Sequence, residues 1–282
     1  MTHTFILSSV TFVYFGAFLL YLLQAISQRE SWGTGAFRTL LVGFTAQTIA
    51  LGMRWADSYR LGIGHAPLSN FYESLVFFAW AMVLLYLLTE MRTKSRSAGI
   101  FVTPLALLCM AYASFSPNVN SGIQPLVPAL QSNWLIIHVV SCFLAYAAFA
   151  IAFALAIMVL LKNQGSGQKR PTGRFLSLLP EKEFLDDLLY HNVFFGFILL
   201  TLGIVTGSIW AHHAWGSYWS WDPKETWSLA TWLIYAILLH ARLVRGWRGE
   251  EIAALSLFGF FAVLFTYFGA NYLSSLHAYL KF

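Results

Sequence analysis

Apolar residues run along this 282-residue chain in long stretches separated by short polar joints. The stretches lack the strict alternation of a half-buried strand. They also stay apolar on every face, unlike the one-sided stripe of a soluble amphipathic helix. Segments of about 18 or more such residues are helices that cross a bilayer. Eight are predicted, at 5–26, 36–53, 71–89, 98–113, 134–161, 188–211, 226–241 and 252–276. The fourth and seventh lie at the short end of what spans hydrocarbon. The first has no basic segment before it and no small-residue cleavage site after it, so it reads as a retained helix and not a signal peptide.

Composition agrees with the pattern. The chain is 58% hydrophobic, 17% aromatic and 10% charged, whereas soluble domains carry roughly 25% charged residues. The expected fold is an all-α polytopic integral membrane protein with about eight transmembrane helices, forming a single transmembrane domain over 1–282. Its net charge of +5 is then a topological signal and not a nucleic-acid patch. Alternate joints collect Arg29 and Arg38; Arg92, Lys94 and Arg96; Lys162, Lys169, Arg170, Arg174 and Lys182; and Arg242, Arg245 and Arg248. The opposite joints hold Arg54, Arg60, Lys224 and Lys281. The positive-inside rule puts the first set in the cytoplasm and both termini on the outer face.

The polar joints are mostly connectors. Residues 162–185 read as a flexible basic linker followed by the start of a surface helix. In the outer joint at 64–74, Asn70 with Glu73 reads as a capping box for the third span, while His65 fits either a loop residue or a ligand. Cys109 and Cys142 sit in apolar runs without CxxC spacing, as small packing residues do. No internal repeat suggests an inverted-repeat transporter.

One external joint is different. Between 212 and 226, Trp215, Trp219 and Trp221 fall beside Tyr218, with Trp227 just beyond. Tryptophan favours a membrane interface, and Asp222, Pro223 and Glu225 read as a helix start. Neither accounts for so much flat aromatic surface in one turn, which suits a large planar ligand such as a porphyrin. The histidines sort by depth. His3 is terminal, His191 starts the sixth span on the inner side, and only one of His212 and His213 can face the bundle. His138 and His277 stand at one level, at the outer ends of the fifth and last spans, where two imidazoles could grip a haem iron from both faces. His240 lies roughly 20 Å below, at 1.5 Å per residue along the seventh span. A histidine so placed in a membrane invites a functional reading, against the plain one of a neutral ring bonded to a neighbouring helix.

The run WGxxWxWDPKExW, from Trp215 to Trp227, resembles the tryptophan-rich WWD signature of haem-handling proteins in cytochrome c biogenesis. The longer match is to the CcsA/ResC type, the membrane component of the system II cytochrome c synthetase, and it covers the chain from about Gly64 onward. The resemblance implies haem b as cofactor, with Trp215, Trp219, Trp221 and Asp222 in the haem-binding loop. It matches His138 and His277 to the axial ligands of an outer haem site, and His240 to the histidine of a transmembrane one. It implies a CcsB/ResB-type membrane partner, an apocytochrome c presenting CxxCH, and a place in the bacterial cytoplasmic membrane with the haem site facing the periplasm. The chain would be the haem-handling subunit of a holocytochrome c synthase, with no side chain needed as general acid or base. Arg54, Arg60 and Lys224 are the outer cations open to haem propionates. Two other classes compete: a membrane haem exporter, and a di-haem b-type electron carrier without thioether chemistry. The carrier needs paired histidines at two depths, and the inner level holds one.

Overall fold

The structure, a computed structural model, describes residues 2–164 and 176–273. Every regular element among them is helical: α1 (Thr2–Ser27), α2 (Glu30–Arg60), α3 (Phe71–Thr93), α4 (Gly99–Phe115), α5 (Asn133–Gln164), α6 (Lys182–Trp215), α7 (Pro223–Val244) and α8 (Glu250–Leu264). A π-helical turn, Phe265–Gly269, joins α8 to the short α9 (Ala270–Leu273). Seven of these are long and apolar enough to cross a membrane, the last of them being α8 with its π turn.

The difference from the eight expected spans lies in α4. It has 17 residues with Pro104 inside it, a length of about 26 Å at 1.5 Å per residue, slightly under the ~30 Å hydrocarbon core. The seventh span, short by its apolar run, becomes a 22-residue helix because capping moves its start back to Pro223.

Helix ends follow their local chemistry. Asn70 Oδ1 accepts from Glu73 N at 2.9 Å, and Glu73 Oε2 accepts from Ser69 N at 2.8 Å, closing the start of α3. Of the apolar windows of α3 and α5, 72% is buried, against 28–33% for α1, α2, α6 and α7, so α3 and α5 form the centre. In α5 the alanines between Ala145 and Ala156 are fully buried, because small side chains let neighbouring helices close in on several faces. Along α6, Gly196 and Gly203 do the same: an added Cβ would sit 2.6 Å from the Phe149 ring and 2.5 Å from Cys142 Sγ.

The joints gather at two ends. At one, Arg54 and Glu73, each 1% exposed, form a 2.8 Å ion pair. The guanidinium also donates to the carbonyls of Ser121 and Gly122 at 2.8 and 3.1 Å. His3, terminal by sequence, is 6% exposed and lies 3.0 Å from Asp57. At the other end Arg242 pairs with Asp186 and, at 3.0 Å, with Asp187, while Gly249 N donates to Asp186 at 2.8 Å. The Arg54–Glu73 and Arg242–Asp186 pairs are buried on both sides, so losing one partner leaves a costly stranded charge.

Candidate functional site

The tryptophan-rich joint is tighter than its sequence implies. Helix α6 continues through Trp215 and stops at Gly216, whose φ of +80° suits glycine and whose N–H reaches His212 O at 2.9 Å. Helix α7 starts at Pro223, with Asp222 Oδ1 accepting from Glu225 N at 2.8 Å. The non-helical part of 212–226 is thus 216–222. Within it Glu225 Oε2 accepts from Ser220 N at 2.7 Å, and Trp221 takes φ +59°, an uncommon value for a bulky residue. That left-handed step separates two neighbouring rings: Trp221 turns outward and is 69% exposed, while the Trp219 ring turns inward against it edge-on, centroids 5.8 Å apart. Tyr218 stacks on His212 at 4.2 Å.

Beneath this turn lies a cleft of about 800 Å³, its open mouth included. Helix α5 supplies His138, Cys142 and Tyr146; α6 supplies Gly207, Ser208 and Trp210; the turn supplies Tyr218 and Trp219; and α7 supplies Lys224 and Ser228. The π turn completes it with Thr266 and Tyr267. An i→i+5 turn widens the helix locally and re-aims its side chains, and such turns recur at functional sites. Here they are held from both sides, Thr266 Oγ1 lying 2.9 Å from Thr231 Oγ1 and Tyr267 Oη 2.7 Å from Ser74 Oγ.

His138 Nδ1 lies 2.7 Å from the Gly203 carbonyl oxygen. A carbonyl only accepts, so Nδ1 carries the proton of the neutral ring and Nε2 carries the lone pair. The imidazole runs parallel to the Trp210 ring, 13° off with centroids 6.2 Å apart. Trp210 Nε1 in turn donates to Ala129 O at 2.8 Å. Trp219 Nε1 is buried without an acceptor among the described residues.

The structure brings together His138, Trp219 and Lys224, and sets the remaining sequence candidates elsewhere. Trp215 packs edge-on behind Trp210, centroids 4.8 Å apart. Asp222 is buried as the cap of α7. His240 is exposed on the outer face of α7, in register with Leu233, Ile237 and Val244, while Thr231, Tyr235, Leu238 and Arg242 form the buried face. His277 lies outside the described residues. Of the cations weighed for an anionic ligand, Arg54 is spent on Glu73 and two carbonyls, and Arg60 reaches Asp57 from the surface. Lys224 lines the cleft wall. His65 is buried with its ring nitrogens 2.8 and 3.0 Å from the carbonyls of Ala66 and Gln124, which makes it a loop anchor. Both His212 and His213 are exposed. Reading the sequence did not single out Gly203, Gly207 and Tyr267, and took Cys142 for a packing residue; the four-residue spacings His138–Cys142 and Gly203–Gly207, on two helices that meet, were the available signal.

Comparison with known proteins gives a consistent answer. Residues 68–277 match the family model described as cytochrome C assembly protein. The chain is 41% identical to the cytochrome c biogenesis protein CcsA of Parasynechococcus marenigrum, over 96% of each chain. It is 42% identical to CcsA of Chlorella vulgaris, over 82% of this chain and 81% of that one. Among solved structures, the cytochrome c haem lyase CcmF superposes with a TM-score of 0.69 at 18% identity. That match covers 97% of this chain and 46% of the CcmF chain, and it speaks to fold alone. The chain belongs to the CcsA family of cytochrome c biogenesis proteins, within the wider cytochrome c assembly family.

Proposed function

We propose that the cleft under the tryptophan turn holds haem b and presents it for covalent attachment to the CxxCH segment of an apocytochrome c. The observation that carries this reading is His138: an imidazole whose Nδ1 is committed to a backbone carbonyl has its lone pair on Nε2, the arrangement of a histidine ligand with a fixed tautomer. The rest of the cleft fits the same group. Its wall is largely aromatic and aliphatic, as a porphyrin face requires. Lys224 in the wall would place a cation near a propionate, and the buried Trp219 N–H is a donor without an acceptor among the described residues.

In this reading the protein's own groups orient and shield. Gly203 O holds the His138 ring. Trp210, Tyr218 and Trp219 keep water from the cleft, and the exposed Trp221 stands beside Trp219 at the outer surface, where an incoming peptide would arrive. Bound haem supplies an iron for imidazole coordination and two vinyl groups for the CxxCH thiols. Holding vinyls beside thiols contributes proximity, with no proton transfer required of a side chain here. In this proposal His277 would be a second histidine to hold the haem iron. His240 belongs to a separate transmembrane haem site completed by a CcsB/ResB-type partner, a role supported by its exposure on the bilayer-facing side of α7. In this proposal the cleft faces the periplasm from a bacterial cytoplasmic membrane, an orientation that the basic asymmetry of the joints supports.

The test is expression of the full chain with a CcsB/ResB-type protein and a CxxCH reporter. Haem should co-purify with the complex, and the reporter should acquire covalent haem. Free haem outside the cell without covalent product would instead indicate an exporter, and a complex without haem would contradict the proposal. In a chain with Cys109 and Cys142 replaced by alanine, Ser217→Cys should label from outside and Arg92→Cys should not; the reverse pattern would invert the topology.

A further inference from the structure

We infer that Gly203 and Gly207 of α6 are positioning residues that set the tautomer and the depth of His138. This rests on the proposed role of His138 as an iron ligand.

The geometry makes two separate demands on α6. First, the Gly203 carbonyl must come within 2.7 Å of His138 Nδ1, which requires α5 and α6 to approach closely. A Cβ on residue 203 would lie 2.5 Å from Cys142 Sγ and 3.4 Å from Cys142 N, so a side chain there displaces the sulfur or the helix behind it, and displacement of the helix lengthens the bond to His138. Second, the ring needs room. A Cβ on residue 207 would lie 2.5 Å from His138 Nδ1 and 2.7 Å from its Cε1, inside the space the imidazole occupies. One glycine therefore brings the acceptor in, and the next one a turn later leaves the slot for the ring. The carbonyl determines which nitrogen carries the proton, and the slot determines how deep the ring sits between the two helices. Backbone supplies both, so no polar side chain signals the device. The same cleft is lined by Trp219, whose buried N–H has no acceptor among the described residues.

Partners that orient a ligating histidine typically contribute 10–100-fold to affinity, and that sets the size of the effect. The experiment uses the full chain in complex with its CcsB/ResB-type partner, and reads the visible spectrum and haem content of the purified complex. Gly207→Ala should lose haem roughly 10–100-fold and lose the six-coordinate spectrum, as His138→Ala does. Added imidazole should restore the spectrum in both, since a small free ligand can fill the vacated position. Gly203→Ala should weaken haem retention, and Cys142→Ala in the same chain should recover it by vacating the sulfur's place. The inference is overturned if Gly207→Ala keeps the wild-type spectrum while His138→Ala loses it. It is overturned equally if imidazole restores His138→Ala but not Gly207→Ala, which is the result of a packing role alone. If Gly207→Ala does not accumulate, the Gly203→Ala and Cys142→Ala pair decides: failure of the double variant to recover haem also overturns it. An unchanged spectrum in His138→Ala would instead remove the haem reading beneath it.

Discussion

His65 and His138 stand near the same end of the bundle, linked through the 116–132 segment that His65 and Trp210 both hold, yet their surroundings are opposites. Around His65 the named polar groups bond to the protein. Its ring nitrogens face two carbonyls, Ser58 bonds its backbone, and nearby Arg54 divides its nitrogens among Glu73, Ser121 and Gly122. Around His138, Nδ1 meets a carbonyl, and the ring borders a cleft where the Trp219 N–H has no acceptor among the described residues. Folded chains rarely strand buried donors. The first region has the chemistry of a clasp and the second that of a receptor, and the contrast predicts which substitutions cost stability and which cost binding.

The largest stability effect should come from the clasp. Arg54→Met strands Glu73 and frees two loop carbonyls, and breaking such a buried pair costs about 3–5 kcal/mol. Membrane yield and thermal stability in detergent should fall sharply, while the surviving protein keeps its haem spectrum. His65→Ala comes next, at about 1–3 kcal/mol for the carbonyls left unpaired, again with an unchanged spectrum; a spectral shift there would blur the distinction between the regions. Asp222→Ala removes the α7 cap for about 1 kcal/mol and should soften the turn without changing the axial ligands. Trp219→Phe should be smallest in stability, within about 0.5 kcal/mol, because it deletes a donor that has no protein acceptor. It should nonetheless reduce haem retention about five-fold, the value of one hydrogen bond near 1 kcal/mol. Unchanged retention would remove Trp219 from the donors of the site.

Much of this was legible from local pattern. The helical spans, the Asn70–Glu73 and Asp222–Glu225 caps and the family itself follow from residues close together in the chain. What could not be read depends on distant partners or on which helix face packs. His3 is terminal in sequence but buried against Asp57, 54 positions away. Arg54 looked available for an anion until Glu73 and the 121–122 carbonyls claimed it. The opposite directions of Trp219 and Trp221 depend on one left-handed residue, which pattern alone does not reveal. His240 has the depth expected of a transmembrane ligand, but its outward direction is set by the packing of Tyr235 and Leu238 on the other side of α7. The glycine slot for His138 exists only where α5 and α6 meet.

The most direct measurement is the visible spectrum of the haem-loaded complex carrying His138→Ala, recorded with and without added imidazole. The account predicts loss of the six-coordinate spectrum, a fall in haem content and in cytochrome c maturation, and partial recovery of all three when imidazole fills the vacant position. A His138→Ala complex with the wild-type spectrum, or one whose only defect is low abundance that imidazole leaves unchanged, would contradict it.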